Sequence, residues 1–234
     1  MYGTGRPRHP AGYFRGGTAP EGLGLGPDEQ PEGGEAGEAL RASDSYADYL
    51  DWAFARGTTP NGVFGTKLMW GYMYELVRYL RDLPGLGDRS TAELLDEVFP
   101  NARYVHISRG DKVEQAVSMW KALQTAAWRE GSKGSNRAEP RYDYGAIDRL
   151  RRCLEADDAA WPDFFAHNDI DALRITYEQL VAAYGDTLER VFRHIGVEPP
   201  PDLQEADHGM RRQADSTSTE WVERYRAERV APSS

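Results

Sequence analysis

Arg109 and Ser118 are the two residues of this sequence whose types and spacing best suit gripping an anion. Arg109 leaves the end of a β-branched and aromatic run, RYVHIS (residues 103–108). Ser118 falls about two turns into a helix that the pattern predicts from Lys112. In open α/β sheets, ligands bind at the carboxyl ends of strands, beside helix N-termini. A cation at a strand end and a hydroxyl on the next helix can therefore hold one phosphate from two sides. The same spacing also fits a solvent-exposed arginine at a helix start and a serine that only fills the helix. Lysine is scarce, 4 residues against 24 arginines, so Lys67 inside the strand-like run VFGTKLM draws attention. An ammonium buried in a strand needs an anionic partner, whereas one at a strand end is simply solvated. The five histidines (His9, His106, His167, His194 and His208) show no metal-ligand spacing, and the single Cys153 forms no thiolate cluster, so no metal is expected.

The elements that must position these residues alternate between strand and helix. Residues 44–57 show helical periodicity behind Ser43 as N-cap, and GTTPNG stops them. Val63–Met69 is predicted as a buried strand and Trp70–Leu83 as a helix ended by Pro84-Gly85. Ser90-Thr91-Ala92-Glu93 is a capping box ahead of another helix. The strand RYVHIS turns through Arg109-Gly110-Asp111 into a helix reaching about Trp128. Further helices are predicted over 144–167, over 178–195 behind the strand ALRITY (residues 172–177), and from about Thr217 to Arg229, the last with a box at Thr217–Glu220. Such alternation indicates an α/β fold with a parallel sheet flanked by helices.

At 234 residues and 40% hydrophobic, the chain can bury the core of one α/β domain. Residues 1–40 hold 11 of the 24 glycines and 5 of the 14 prolines, which reads as a flexible segment. The expected organisation is an N-terminal remnant and loop over 1–43 and a folded domain over 44–230. A formal net charge of −10 argues against nonspecific nucleic-acid binding, while leaving room for a small polyanion held by local cations. No run reaches the roughly 18 apolar residues of a membrane helix, and the first thirty residues lack a signal's apolar stretch. A cytoplasmic protein with no membrane partner is expected.

The segment SRGDKVEQAVSMWKALQT (residues 108–125) resembles the 3′-phosphate-binding segment of sulfotransferases that use 3′-phosphoadenosine-5′-phosphosulfate (PAPS). The resemblance is closest to the bacterial trehalose 2-sulfotransferase family. RGTTPNGVFGTKLMW, RYDYGAIDRL, LRITYEQLVAAYGDTLERVFRHIGV and RRQADSTSTEWVERYR follow in that family's order. The resemblance implies a P-loop-like sheet (the sulfotransferase fold) and sulfuryl transfer to a hydroxyl of a carbohydrate or other small metabolite. Carried over by residue, it implies that Arg109 and Ser118 hold the 3′-phosphate. It likewise implies that Lys67 touches the transferring group and that Arg211 and Arg212 close over the nucleotide. By analogy with phosphoryl transfer, catalysis is mainly positioning and cationic stabilisation of the leaving oxygen, with a base to take the hydroxyl proton. Some family members form homodimers; the Trp- and Tyr-rich segments here suit a core first and an interface second.

Two departures qualify the resemblance. The family's first strand and its Gly/Ser-rich 5′-phosphosulfate loop have no counterpart here, so the sheet is expected to be N-terminally incomplete. Where the family carries a glutamate as general base, His9-Pro10-Ala11-Gly12-Tyr13-Phe14 has Gly12, leaving His9 as the nearest titratable substitute. The alternative to an active transferase is thus a non-catalytic homologue that binds a nucleotide or a partner protein.

Overall fold

Ser90 accepts the backbone N–H of Glu93, while the Glu93 carboxylate accepts that of Ser90, so the capping box starts a helix where the sequence says it should. The computed structural model describes residues 34–125, 139–201, 203 and 215–230. It divides into two units, Met1–Asn101 and Ala102–Ser234.

In the first unit, helices α1 (Gly34–Ala42), α2 (Tyr46–Gly57), α3 (Met73–Arg81) and α4 (Thr91–Val98) carry the described core. Tyr49, Leu50, Ala53, Leu76, Leu80 and Leu94 are buried, and Phe54, Phe64 and Phe99 form an aromatic cluster. The end of the Gly-rich segment is therefore helical from Gly34. Ser43 donates its hydroxyl to the Ala39 carbonyl at the end of α1, and Ser45 caps α2 in its place. Trp70–Tyr72 forms a 3₁₀ turn before α3.

The expected strand Val63–Met69 does not form. Its single ladder contact is an isolated antiparallel bridge from Phe64 to Thr58. Thr59 takes up the backbone instead: Thr59 N–H donates to the Val63 carbonyl at 2.9 Å, and Thr59 Oγ1 accepts the Val63 N–H at 3.2 Å. Gly62, at φ 83°, closes this tight turn in the left-handed region that favours glycine. A run of strand-forming residues without a neighbouring strand has no ladder to join, and local turn bonds win.

The second unit is built on two parallel strands, β1 (Val105–Ser108) and β2 (Leu173–Thr176), paired from Val105 with Leu173 to Ser108 with Thr176. Parallel pairing requires a crossover, supplied here by α5 (Lys112–Thr125) and α6 (Tyr144–His167), which pack on each other. After β2 the chain forms α7 (Tyr177–Ala182), α8 (Tyr184–Ile195) and, after an interval, α9 (Ser216–Val230), which packs on α5. The fold is thus α/β, with a small parallel sheet flanked by helices. Buried Val117, Ile147, Leu150, Ile175, Trp221 and Tyr225 form its core.

Two helix boundaries differ from expectation. The continuous helix over 178–195 is split at Ala183, which has φ −147° and ψ 67°. Across the break the Ala183 N–H still reaches the Gln179 carbonyl at 2.9 Å, and the buried Thr187 hydroxyl donates to the same oxygen at 3.3 Å. The box at Thr217 is not used; Asp215 caps α9 by accepting the Ser218 N–H at 2.8 Å. A carboxylate at this position also meets the positive end of the helix dipole. Gly196 ends α8 at φ 72°, as a left-handed C-cap.

Candidate functional site

The turn Arg109-Gly110-Asp111 joins β1 to α5 and is fixed from several sides within the second unit. The Asp111 carboxylate caps α5 with one oxygen, accepting the Val113 and Glu114 N–H groups at 3.1 and 2.9 Å. Its other oxygen pairs with Arg226 of α9. Lys112 Nζ donates to the Arg109 carbonyl at 2.6 Å and pairs with Asp158 of α6 at 2.9 Å. Glu178, 68 residues on, accepts the Gly110 N–H at 3.1 and 3.3 Å. Desolvation pushes the Glu178 carboxyl up. Hydrogen bonds from its own N–H, Gly110, Thr176 and Asp111 outweigh that and hold it below the usual glutamate value.

The Arg109 side chain is equally constrained. Nη2 lies 3.0 Å from Glu114, and the guanidinium carbon sits 4.7 Å from the centre of the Tyr177 ring, in cation–π range. Its Nε is buried and makes no hydrogen bond, so the fork keeps donors for an anion. Ser118 is exposed on α5, one turn beyond Glu114, and residues four apart on a helix share a face. The face toward which Glu114 draws Arg109 is therefore the face that carries Ser118. A guanidinium fork with an unused donor and a hydroxyl on one helix face match the oxygens of a phosphate.

Lys121, one turn past Ser118, pairs with Asp215 at 2.6 Å and donates to the Ser218 hydroxyl at 3.0 Å, tying α5 to the start of α9. Beneath the strand, His106 Nε2 lies 3.3 Å from Asp158, a carboxylate already engaged by Lys112. Burial pushes His106 below the usual histidine value, and the pull of Asp158 does not restore it. Set against the Phe165 ring and beside Asp158, His106 has the surroundings of a structural residue, consistent with its alternation within the strand.

Lys67 lies in the first unit, exposed on the extended segment after the Gly62 turn. It is not the buried strand lysine that its neighbours suggest. His9, Gly12, Arg211 and Arg212 lie outside the described residues. Sequence reasoning missed Tyr177 and Glu178. Their signal was the parallel pairing of RYVHIS with ALRITY, which aligns Ser108 with Thr176 and brings the next two residues of each chain segment side by side. Among the described residues no group of three or more His, Cys, Asp or Glu is placed to hold a metal ion, and no helix is long and apolar enough to cross a membrane.

The sequence of this chain matches those of known proteins. A family model described as Stf0 sulphotransferase matches residues 6–228. A trehalose 2-sulfotransferase of Mycolicibacterium smegmatis is 37% identical over 195 residues, covering 80% of this chain and 68% of that protein. A trehalose 2-sulfotransferase of Mycobacterium tuberculosis is 36% identical over 177 residues, covering 74% of this chain and 64% of that protein. The matched stretch runs from upstream of α1 into α9 and takes in the whole β1–turn–α5 junction, and on that extent the chain belongs to the Stf0 sulphotransferase family.

Proposed function

We propose that the chain transfers a sulfuryl group from PAPS to a hydroxyl of a carbohydrate, trehalose or a similar sugar, or of another small metabolite, with residues 44–230 as the transferase domain. The observation that carries this reading is Arg109 at the carboxyl end of β1, stacked on Tyr177 and drawn to the α5 face that bears Ser118. The unbonded, buried Nε fits a group that brings its own oxygens. The bound donor supplies the activated sulfuryl group and a good leaving oxygen. Arg109 and Ser118 bind the 3′-phosphate, the feature that separates this donor from ordinary adenine nucleotides. Lys67 offers a solvated ammonium to the transferring group, and Arg211 and Arg212 are nucleotide-binding residues on the strength of the family resemblance. His9 takes the acceptor's proton, since Gly12 has no side chain to do so. On this reading the partner is a small hydroxyl-bearing acceptor met in the cytoplasm.

The test is titration calorimetry with adenosine 3′,5′-bisphosphate and AMP. A charge-assisted contact contributes on the order of 1.5–3 kcal/mol, so the bisphosphate should bind about 10–150 times more tightly. Arg109→Ala should remove most of that preference. Equal affinity of the unaltered protein for the two nucleotides would sink the assignment. The absent glutamate at position 12 favours a second reading, a homologue that binds the nucleotide without turnover. Sulfation of trehalose by the unaltered chain in a radiolabelled-sulfate assay decides against it.

A further inference from the structure

We infer that Tyr177 and Glu178 are positioning residues of the donor site: the first two residues after β2 set the direction of the Arg109 guanidinium and the path of its backbone. The inference rests on the reading of Arg109 as a 3′-phosphate ligand. The parallel register ends at Ser108 with Thr176, so Arg109 and Gly110 leave β1 as Tyr177 and Glu178 leave β2. Each pair is in contact. The Tyr177 ring lies 4.7 Å from the Arg109 guanidinium carbon. The Glu178 carboxylate accepts the Gly110 N–H from 68 residues away.

Thr176 and Gln179 form a reciprocal capping box that starts α7 at this point, so the dipeptide sits on a fixed helix start rather than a free loop. A Cβ built on Gly110 would lie 3.6 Å from Glu178 Oε1, an ordinary contact. The geometry therefore depends on the peptide N–H of residue 110 and not on the lack of a side chain there. An arginine fork binds phosphate through directional bonds, so a tilt or shift of the turn costs affinity for the 3′-phosphate while leaving the rest of the nucleotide untouched.

The readout is the ratio of the dissociation constants of AMP and adenosine 3′,5′-bisphosphate, measured on the full chain with thermal unfolding in parallel. Glu178→Ala should lower the ratio by about tenfold, the scale of coupling between residues in one network. Glu178→Gln, whose amide oxygen still accepts the Gly110 N–H, should recover most of it. Tyr177→Phe should keep it and Tyr177→Leu lower it. In an Arg109→Ala background, Glu178→Ala should change the ratio no further, because the group it positions is gone. A ratio unchanged in Glu178→Ala, with or without a lower Tm, overturns the positioning role and leaves the donor reading intact. A ratio of one in the unaltered protein overturns the donor reading, and the inference with it. If Glu178→Ala does not fold, Glu178→Asp serves instead: it keeps the charge but withdraws it by one methylene, and an unchanged ratio there refutes the role.

Discussion

RYVHIS and VFGTKLM are both short strand-like runs, and each leads to or contains a cation expected to meet the sulfuryl donor. RYVHIS pairs with ALRITY and becomes β1, and Arg109 leaves it with its side chain 21% exposed and held from several sides. VFGTKLM meets one residue across one bridge, and Lys67 ends up exposed. Propensity is similar in the two runs, and the difference is the partner. A strand fixes the residue that follows it only when a second strand fixes the strand.

The paired region can be broken at its anchor. Ile175 in β2 is 2% exposed and pairs with Ile107 of β1. Ile175→Ala should cost about 2–5 kcal/mol, by lost transfer energy and the cavity left behind. Urea unfolding measures it, and a loss below about 1 kcal/mol would mean the unit does not depend on this buried side chain.

A smaller effect singles out His106, which is held below its ordinary pKa of 6.5 by burial, with Asp158, Lys112 and Arg174 the charges around it. In the unfolded chain the ring takes up a proton first, so stability should be full above pH 6.5 and fall as the pH drops toward the folded value. His106→Gln should flatten that part of the stability curve measured by urea titration at successive pH values. An unchanged slope would show that other groups carry it.

The smallest effect is expected in the unpaired run. Lys67→Ala should leave stability within about 0.5 kcal/mol, as for an exposed residue outside any network. Any loss of transfer activity in that variant is then chemical in origin. A large fall in Tm would instead reveal a structural role for Lys67.

Much of the architecture was legible because its signals are local. The capping box at Ser90, the stop at Gly196 and the helix over 144–167 each depend on residues within a turn or two. The break at Ala183 was hidden, because the one nearby breaker, Gly185, lies inside the first turn of α8 and the Thr187 hydroxyl that bonds across the break is a tertiary choice. The α9 cap was misread among Asp215, Ser216 and Thr217, three good cap residues in a row, of which the charged one prevails. In the site, Arg109 and Ser118 were visible as a strand end and a helix position. Tyr177 and Glu178 were not, since nothing in either residue's neighbourhood refers to a turn 68 residues earlier.

The pairing of Asp111 with Arg226 spans 115 residues, which gives the second unit a chronology. A ribosome makes the chain from its N-terminus at about 5–20 residues per second, so Asp111 exists for roughly 5–25 s before its partner does. Until α9 is made, the face of α5 on which it packs lacks that cover. The proposed sulfonucleotide site can therefore be locked by the Asp111–Arg226 pair only once α9 has been made.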